Sequence, residues 1–84
     1  MNIIQVNENV SIACESYSNS RAWGHIARCI YHGREVEQAK ARYYNRTWEH
    51  YQFEGVMQSL VDKLDKNKTI PLVDRYAISL RIAQ

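Results

Sequence analysis

A continuous apolar stripe in the second half of the chain constrains the fold more than any other feature. Its members recur at i, i+3, i+4, i+7, i+8 and i+11, and they are Phe53, Val56, Met57, Leu60, Val61 and Leu64. This is the period of an amphipathic helix that buries one face. Thr47 suits the position that caps such a helix by accepting a backbone N–H hydrogen bond. We therefore predict a helix from about Thr47 to Asp65.

The same predicted helix carries a second group of residues on the side opposite the stripe. At about 100° per residue, this group consists of Trp48, Tyr51 and Gly55. A glycine inside a helix costs about 1 kcal/mol relative to alanine, which indicates that another element approaches closely there. Either the C-terminal segment covers this second face, or a partner does.

Three segments before the helix have the alternation of β-strands, and they are Val10 to Tyr17, Trp23 to Tyr31 and Val36 to Tyr44. His32-Gly33 lies between the last two, where a hairpin turn needs residues that tolerate positive φ. In the third strand the small residues Ala39 and Ala41 share a face with Tyr43, which leaves room for a helix across the sheet. Residues 1–9 are expected to be irregular or to form a short edge strand.

The last segment fits two structures equally well by pattern. Leu72, Val73, Tyr76, Ala77 and Leu80 have a helical spacing, whereas Tyr76, Ile78, Leu80 and Ile82 alternate as in a strand. Asp74 near the start and Arg81 near the end favour the helix, because they complement its dipole. The predicted fold is α+β: a three-stranded antiparallel sheet packed by one long helix, with a C-terminal helix or, alternatively, a fourth strand. With 84 residues the chain is expected to form one small domain, residues 1–84.

The composition narrows the class of protein. A hydrophobic share of 45% argues against disorder. The apolar runs are far shorter than the ~20 residues of a membrane span, and Met1 to Gln5 lack the pattern of a signal peptide. We therefore expect a cytoplasmic protein of the host cell that does not enter membranes, with Cys14 and Cys29 as reduced, buried thiols.

The titratable residues match no pattern of an enzyme or a metal site. His25, His32 and His50 do not combine with the two cysteines in any zinc spacing. The glutamates do not pair in an apolar neighbourhood, and no phosphate-binding glycine loop is present. We predict no enzymatic activity, no metal and no cofactor, although the sequence alone leaves a cysteine nucleophile open.

A stretch of alternating basic and aromatic residues is the strongest indication of a binding surface. The net charge is only +2, too weak by itself to identify a nucleic-acid binder, but the basic excess lies in residues 21–50. Arginine and aromatic side chains here supply phosphate-pairing groups and stacking planes. The alternative is structural, with the tyrosines covering the sheet and Arg46 paired to a glutamate. The predicted binding residues are Arg28, Lys40, Arg42, Tyr44, Arg46, Trp48 and Tyr51.

The run from Ala39 to Val56, with the hexapeptide Tyr44-Asn45-Arg46-Thr47-Trp48-Glu49, resembles a group of small, mostly uncharacterised proteins of bacteriophages and other mobile elements. The likeness covers about residues 23–64. Genes of this kind often encode accessory proteins, including antagonists of host defence such as anti-CRISPR proteins. The strand-strand-strand-helix order also looks like the double-stranded-RNA-binding and phage-integrase arm-binding folds. The helix start Thr47-Trp48-Glu49 departs from the lysine cluster of the former.

Two hypotheses of function follow from the residues and the resemblance. The first is a non-enzymatic phage or mobile-element accessory protein that binds a host protein or ribonucleoprotein complex and inhibits host defence such as CRISPR-Cas. The alternative is a small DNA- or RNA-binding module that uses the basic-aromatic strand, whose binding would weaken steeply with salt. A homodimer formed through Trp48 and Tyr51 is left open.

Overall fold

The computed structural model describes residues 2–18, 23–43 and 49–83, and it describes the backbone alone for residues 23, 42–43 and 49–54. The strands are β1 (Asn2–Gln5), β2 (Val10–Ser18), β3 (Trp23–Tyr31) and β4 (Arg34–Tyr43), and they are followed by helices α1 (Glu49–Asn67) and α2 (Leu72–Ala83). The predicted α+β class is confirmed. The prediction of three strands is wrong, because the sheet has four.

The sheet is an antiparallel meander in which each strand pairs with the next one in the chain, in the order β1-β2-β3-β4. The strand that the prediction lacked is β1, whose register runs from Asn2 opposite Cys14 to Gln5 opposite Ser11. Four residues are too few to establish a period of two, so the sequence left this segment open between irregular structure and an edge strand.

Two tight turns set the register of the meander. His32 and Gly33 both have positive φ, at 51° and 80°, and they join β3 to β4 as predicted for a two-residue hairpin. Between β1 and β2 the side chain of Asn7 closes the turn. Its Oδ1 atom accepts hydrogen bonds from the backbone N–H groups of Asn9 and Val10 at 2.8 and 2.9 Å, as Asn does in many turns.

A bulge accounts for the start of β4 two residues before the predicted Val36. Cys29 lies opposite Glu37 whereas Ile30 lies opposite Glu35, so Val36 is an extra residue in β4. Beyond the bulge, Ala39 is in the core and Ala41 packs against it, so these small residues face the helices as predicted. The predicted strand end at Tyr44 lies outside the described residues.

Helix α1 lies across the sheet with its predicted stripe buried. Val56, Met57, Leu60, Val61 and Leu64 are all in the core, while the side chain of Phe53 and the cap at Thr47 lie outside what the structure describes. The helix continues two residues beyond its predicted end. Lys68 then takes a positive φ of 52°, and the Thr69 N–H donates to the Leu64 carbonyl at 3.4 Å, which closes the helix end.

Of the two alternatives for the last segment, the helix is the one present. The carbonyl of Pro71 accepts hydrogen bonds from the N–H groups of Asp74 and Arg75, each at 3.1 Å. Arg75 also reaches back to the end of α1, with its Nη1 atom 3.2 Å from Asp65 Oδ1. The buried residues of α2 are Asp74 and Ile78, which are not the apolar residues whose spacing predicted the helix.

Both helices pack on one face of the sheet, which we call the inner face. The core joins the helices to strand residues at alternating positions, and those strand residues are Val10, Ile12, Cys14, Ala27, Cys29 and Ala39. The opposite, outer face carries no helix of the described chain. Among the described residues, neither helix, α1 or α2, has the length and apolar character needed to cross a membrane.

Candidate binding surface

The outer face of the sheet is a surface built from strand positions that alternate with the core. Because successive side chains of a strand point to opposite faces, the register of the four strands places the same set of residues together on this side. These residues are Ile3 and Gln5 of β1, Ser11, Ala13, Glu15 and Tyr17 of β2, Gly24, Ile26, Arg28 and Ile30 of β3, and Glu35, Gln38 and Lys40 of β4.

Arg28 lies at the centre of the outer face between two carboxylates from the neighbouring strands. Its Nη2 atom is 3.2 Å from Glu15 Oε1, and its Nε atom is 3.2 Å from Glu35 Oε1. With one quarter of the Arg28 side chain exposed, each pair contributes at most about 1 kcal/mol to stability. The main effect of the two pairs is therefore to hold the guanidinium in one orientation. Arg28 also lies directly opposite Ala13, which is buried.

An aromatic ring covers a glycine at one end of the same face. Tyr17 lies opposite Gly24 in the register, and a Cβ atom added to Gly24 would sit 2.7 Å from the Tyr17 hydroxyl. The same Cβ atom would collide with the Ala41 carbonyl of β4. The absence of a side chain at Gly24 thus lets β4 and the Tyr17 ring approach the backbone of β3.

Lys40 is the exposed cation of the outer face, and it lies opposite Ile26, which is about nine-tenths buried. The described charges on this face are the two cations Arg28 and Lys40 and the two anions Glu15 and Glu35. The described part of the surface is therefore electrically balanced, even though the chain as a whole is basic.

The structure brings two of the predicted binding residues together. Arg28 and Lys40 lie on the same face of adjacent strands, offset by two residues of register, because Arg28 pairs with Gln38 and Lys40 pairs with Ile26. The backbone of Arg42 lies opposite Gly24 at the end of that face. The side chains of Arg42 and Tyr51, and all of Tyr44, Arg46 and Trp48, lie outside what the structure describes, so for these five residues the site stays a prediction.

No described element of the chain lies close to Gly55, so a partner is the alternative that stays a prediction for this face. Gly55 is exposed, and no atom lies within 4 Å of the position that its Cβ atom would take. The C-terminal helix α2 therefore does not cover α1 at this position. The cost of a glycine inside α1 has no packing explanation among the described residues.

The two thiols are buried in the core and unpaired with each other, as the sequence indicated. Burial, followed by the nearby negative charges of Glu37 and Asp74, raises the pKa of Cys29 to about 11. Burial also raises the pKa of Cys14. Since the thiolate is the nucleophilic form, neither residue is suited to attack at neutral pH. No group of three or more metal-binding side chains occurs within residues 2–18, 24–41 and 55–83.

A buried polar cluster on the inner side is a feature that sequence reasoning missed. Asp74 is only 3% exposed, and its Oδ1 atom accepts a hydrogen bond from Asn7 Nδ2 at 2.9 Å. Burial, the hydrogen bond to Asp74 and the charge of Asp74 together raise the pKa of Tyr31. The sequence indicated a turn at Asn7. It could not indicate that Asn7 contacts Asp74, because the two residues are 67 positions apart and only tertiary structure brings them together.

The carboxylates that hold Arg28 were also missed as members of the surface. Glu15 and Glu35 come from different strands, and their meeting at Arg28 follows only from the registers of β2 with β3 and of β3 with β4. Glu35 shares the face of Arg28 because it lies opposite Ile30, and the bulge at Val36 then places Gln38 and Lys40 on that face as well.

A comparison of the chain with protein-family models, with curated proteins and with solved structures finds no match in any of the three.

Proposed function

We propose that this protein is a non-enzymatic accessory protein of a phage or mobile element, and that it binds and inhibits a host defence complex such as CRISPR-Cas. The outer face of the sheet is the surface proposed to make the contact. The observation that carries this proposal is an arginine held between two carboxylates on a sheet face that neither described helix covers.

The composition and rigidity of the outer face suit a protein partner. Arginine and tyrosine are enriched among the residues that dominate binding energy at interfaces, and Arg28 and Tyr17 are both held by cross-strand contacts. A side chain that is already ordered loses less entropy when it binds. Half-buried Ile30 supplies apolar area beside the charged groups.

The charge balance of the outer face argues for a protein rather than a nucleic acid. Phosphate binding relies on an excess of cations over a strip of surface, whereas Glu15 and Glu35 already neutralise this strip. The nucleic-acid alternative would depend on Arg42 and Arg46, together with Lys40. The defence complex as partner rests on the resemblance of residues 39–56 to phage and mobile-element proteins.

The proposal is tested by an inhibition assay with purified protein. CRISPR-Cas effector complexes are allowed to cleave target DNA in the presence of wild-type protein or of Lys40→Glu. Lys40 is exposed, so the substitution should leave the fold intact while reversing the charge at the proposed contact. We expect Lys40→Glu to weaken inhibition by about 10-fold or more, the loss typical of an important interface residue.

The matched control is Lys66→Glu, which makes the same change of charge at an exposed position in the last turn of α1. It should inhibit as well as the wild type does. Equal inhibition by Lys40→Glu and Lys66→Glu would remove the outer face from the mechanism, and no inhibition of any effector by the wild type would remove the proposed partner class.

A salt titration separates the two kinds of partner. Binding to duplex or single-stranded nucleic acid alone should be weak and should fall steeply with salt, while binding to the effector complex should survive nuclease treatment. Tight binding to free nucleic acid, with a steep salt dependence that Lys40→Glu reduces, would favour the nucleic-acid alternative.

A further inference from the structure

Helix α2 presents a row of large apolar side chains away from the core. Leu72 is 69% exposed, Val73 74%, Tyr76 56% and Leu80 52%. Leu72, Tyr76 and Leu80 are four residues apart, so they form a single ridge along the helix. We call Leu72, Val73, Tyr76 and Leu80 the α2 ridge.

A groove runs beside the α2 ridge, where the helix passes the end of β1. It has a volume of about 400 Å³ and is lined by Gln5, Val6, Ala77, Leu80 and Arg81. Ala77 is the small residue on the helix side, and Val6 is the half-buried apolar residue on the sheet side. The molecule thus offers an apolar ridge and an adjacent groove, which are the two halves of a helix-packing contact.

We propose that the α2 ridge is the interface of a two-fold dimer, and that its occupant is the α2 ridge of a second copy of this chain. A two-fold interface must be complementary to itself. The ridge meets this requirement because Leu72 and Leu80 are equally distant along the chain from Tyr76. With the axis at Tyr76, Leu72 of each copy packs near Leu80 of the other, and the groove beside Leu80 receives it.

Charge does not oppose this arrangement. The four members of the ridge are uncharged, and so are the four residues of β1. Among the charged residues of α2, Asp74 is buried, Arg75 is paired with Asp65, and Arg81 lines the groove. With the axis at Tyr76, the two copies of Arg81 lie at opposite ends of the contact, about 15 Å apart along the helices. A two-fold axis across α2 also sets the helices antiparallel, so that the N-terminal end of each dipole lies near the C-terminal end of the other.

The available area matches a small but specific interface. The ridge exposes roughly 450 Å² of mostly apolar surface, within the range in which a patch on a monomer is often functional. With the groove, each copy would bury on the order of 500 Å², about 1,000 Å² in total, which is the size of a weak, transient interface. We therefore expect a dimer with a Kd in the micromolar range. This surface is distinct from the outer face and does not depend on the proposed function.

Sedimentation equilibrium tests the dimer over protein concentrations from roughly 1 μM to 1 mM. The wild type should change from monomer to dimer within this range. Tyr76→Glu places two like charges at the two-fold axis, and it should raise the dimer Kd by about 100-fold or more. Because Tyr76 is exposed, circular dichroism should show an unchanged fold. Ser59→Glu, at an exposed position of α1, is the matched control and should dimerise as the wild type does.

Disulfide trapping tests the symmetry directly. Tyr76→Cys should form a covalent dimer under mild oxidation, because the two introduced thiols meet at the axis, whereas Ser59→Cys should stay monomeric. Cys14 and Cys29 are buried and do not interfere. A wild type that is monomeric throughout the range, a dimer that Tyr76→Glu leaves intact, or a monomer whose ridge instead binds anionic lipid vesicles would each overturn the proposal.

Discussion

At the scale of single residues, Gly24 and Gly55 differ in what surrounds the hydrogen atom that a side chain would replace. Around Gly24 the Ala41 carbonyl and the Tyr17 ring occupy the space of a Cβ atom, whereas the space beside Gly55 is open. The same substitution should therefore have opposite effects on the free energy of unfolding. Packing against the backbone decides the sign of the change in stability at Gly24, and helix propensity decides the sign of that change at Gly55.

We expect Gly24→Ala to lower the free energy of unfolding by about 1–3 kcal/mol, since an overpacked site forces β3 and β4 apart. Gly55→Ala should raise it by about 0.5–1 kcal/mol, because alanine loses less conformational freedom in a helix. Urea denaturation of both variants beside the wild type measures the two changes. Destabilisation by Gly55→Ala would show that a neighbour does approach that position.

Cys29 makes the stability sensitive to alkaline pH. Its pKa is about 11 in the folded protein and about 8.5 for an unperturbed thiol, so the unfolded chain loses this proton first. The stabilisation that the protonated Cys29 thiol contributes is therefore fully present below the pKa of the unfolded state. It is lost as pH rises towards the pKa of the folded state. The raised pKa values of Cys14 and Tyr31 act in the same direction.

The measurement is the urea midpoint at several pH values between about 8 and 11. It should fall across this range, and it should fall less steeply in Cys29→Ala, which removes one of the groups that titrate. A Cys29→Ala variant with the same alkaline slope as the wild type would assign the decline to other groups.

At the scale of elements, α2 shows why a correct helix prediction can name the wrong face. The helical spacing of Leu72, Tyr76 and Leu80 indicated a helix, yet these residues point away from the core and Ile78 points into it. The buried stripe was hidden because one of its positions is Asp74. A carboxylate is tolerated there since Asn7 donates to it and Tyr31 bonds to it.

Two alanine substitutions on α2 test this assignment. Ile78 is fully buried, so Ile78→Ala should cost about 2–5 kcal/mol. Leu80→Ala should cost under about 0.5 kcal/mol in dilute protein, where the monomer dominates. Both values come from urea denaturation; if Ile78→Ala fails to fold, Ile78→Val should still cost about 0.5–1.5 kcal/mol. Costs in the reverse order would mean that the other face of α2 is buried.

At the scale of the whole molecule, local patterns predicted the α+β class, the β3–β4 hairpin and the buried stripe of α1. They could not predict what depends on contacts between distant segments. The ion pairs of Arg28 require two strand registers, and the burial of Asp74 requires Asn7 at the far end of the sequence. The placement of Arg28 and Lys40 on one face requires the bulge at Val36, because a two-residue hairpin without it would pair Arg28 with Glu37 and turn Lys40 to the inner face. Alternation within each strand therefore could not predict this part of the site.

The meander order also has a consequence for how the protein forms during synthesis. Every strand pairs with the one made just before it, so the sheet can assemble from near neighbours as the chain leaves the ribosome, and the low contact order favours rapid closure. The inner face, however, receives its cover only from α1 and α2, which are made last. A nascent sheet would therefore carry a bare apolar side until α2 has emerged, and that interval is when chaperones would have the most to bind.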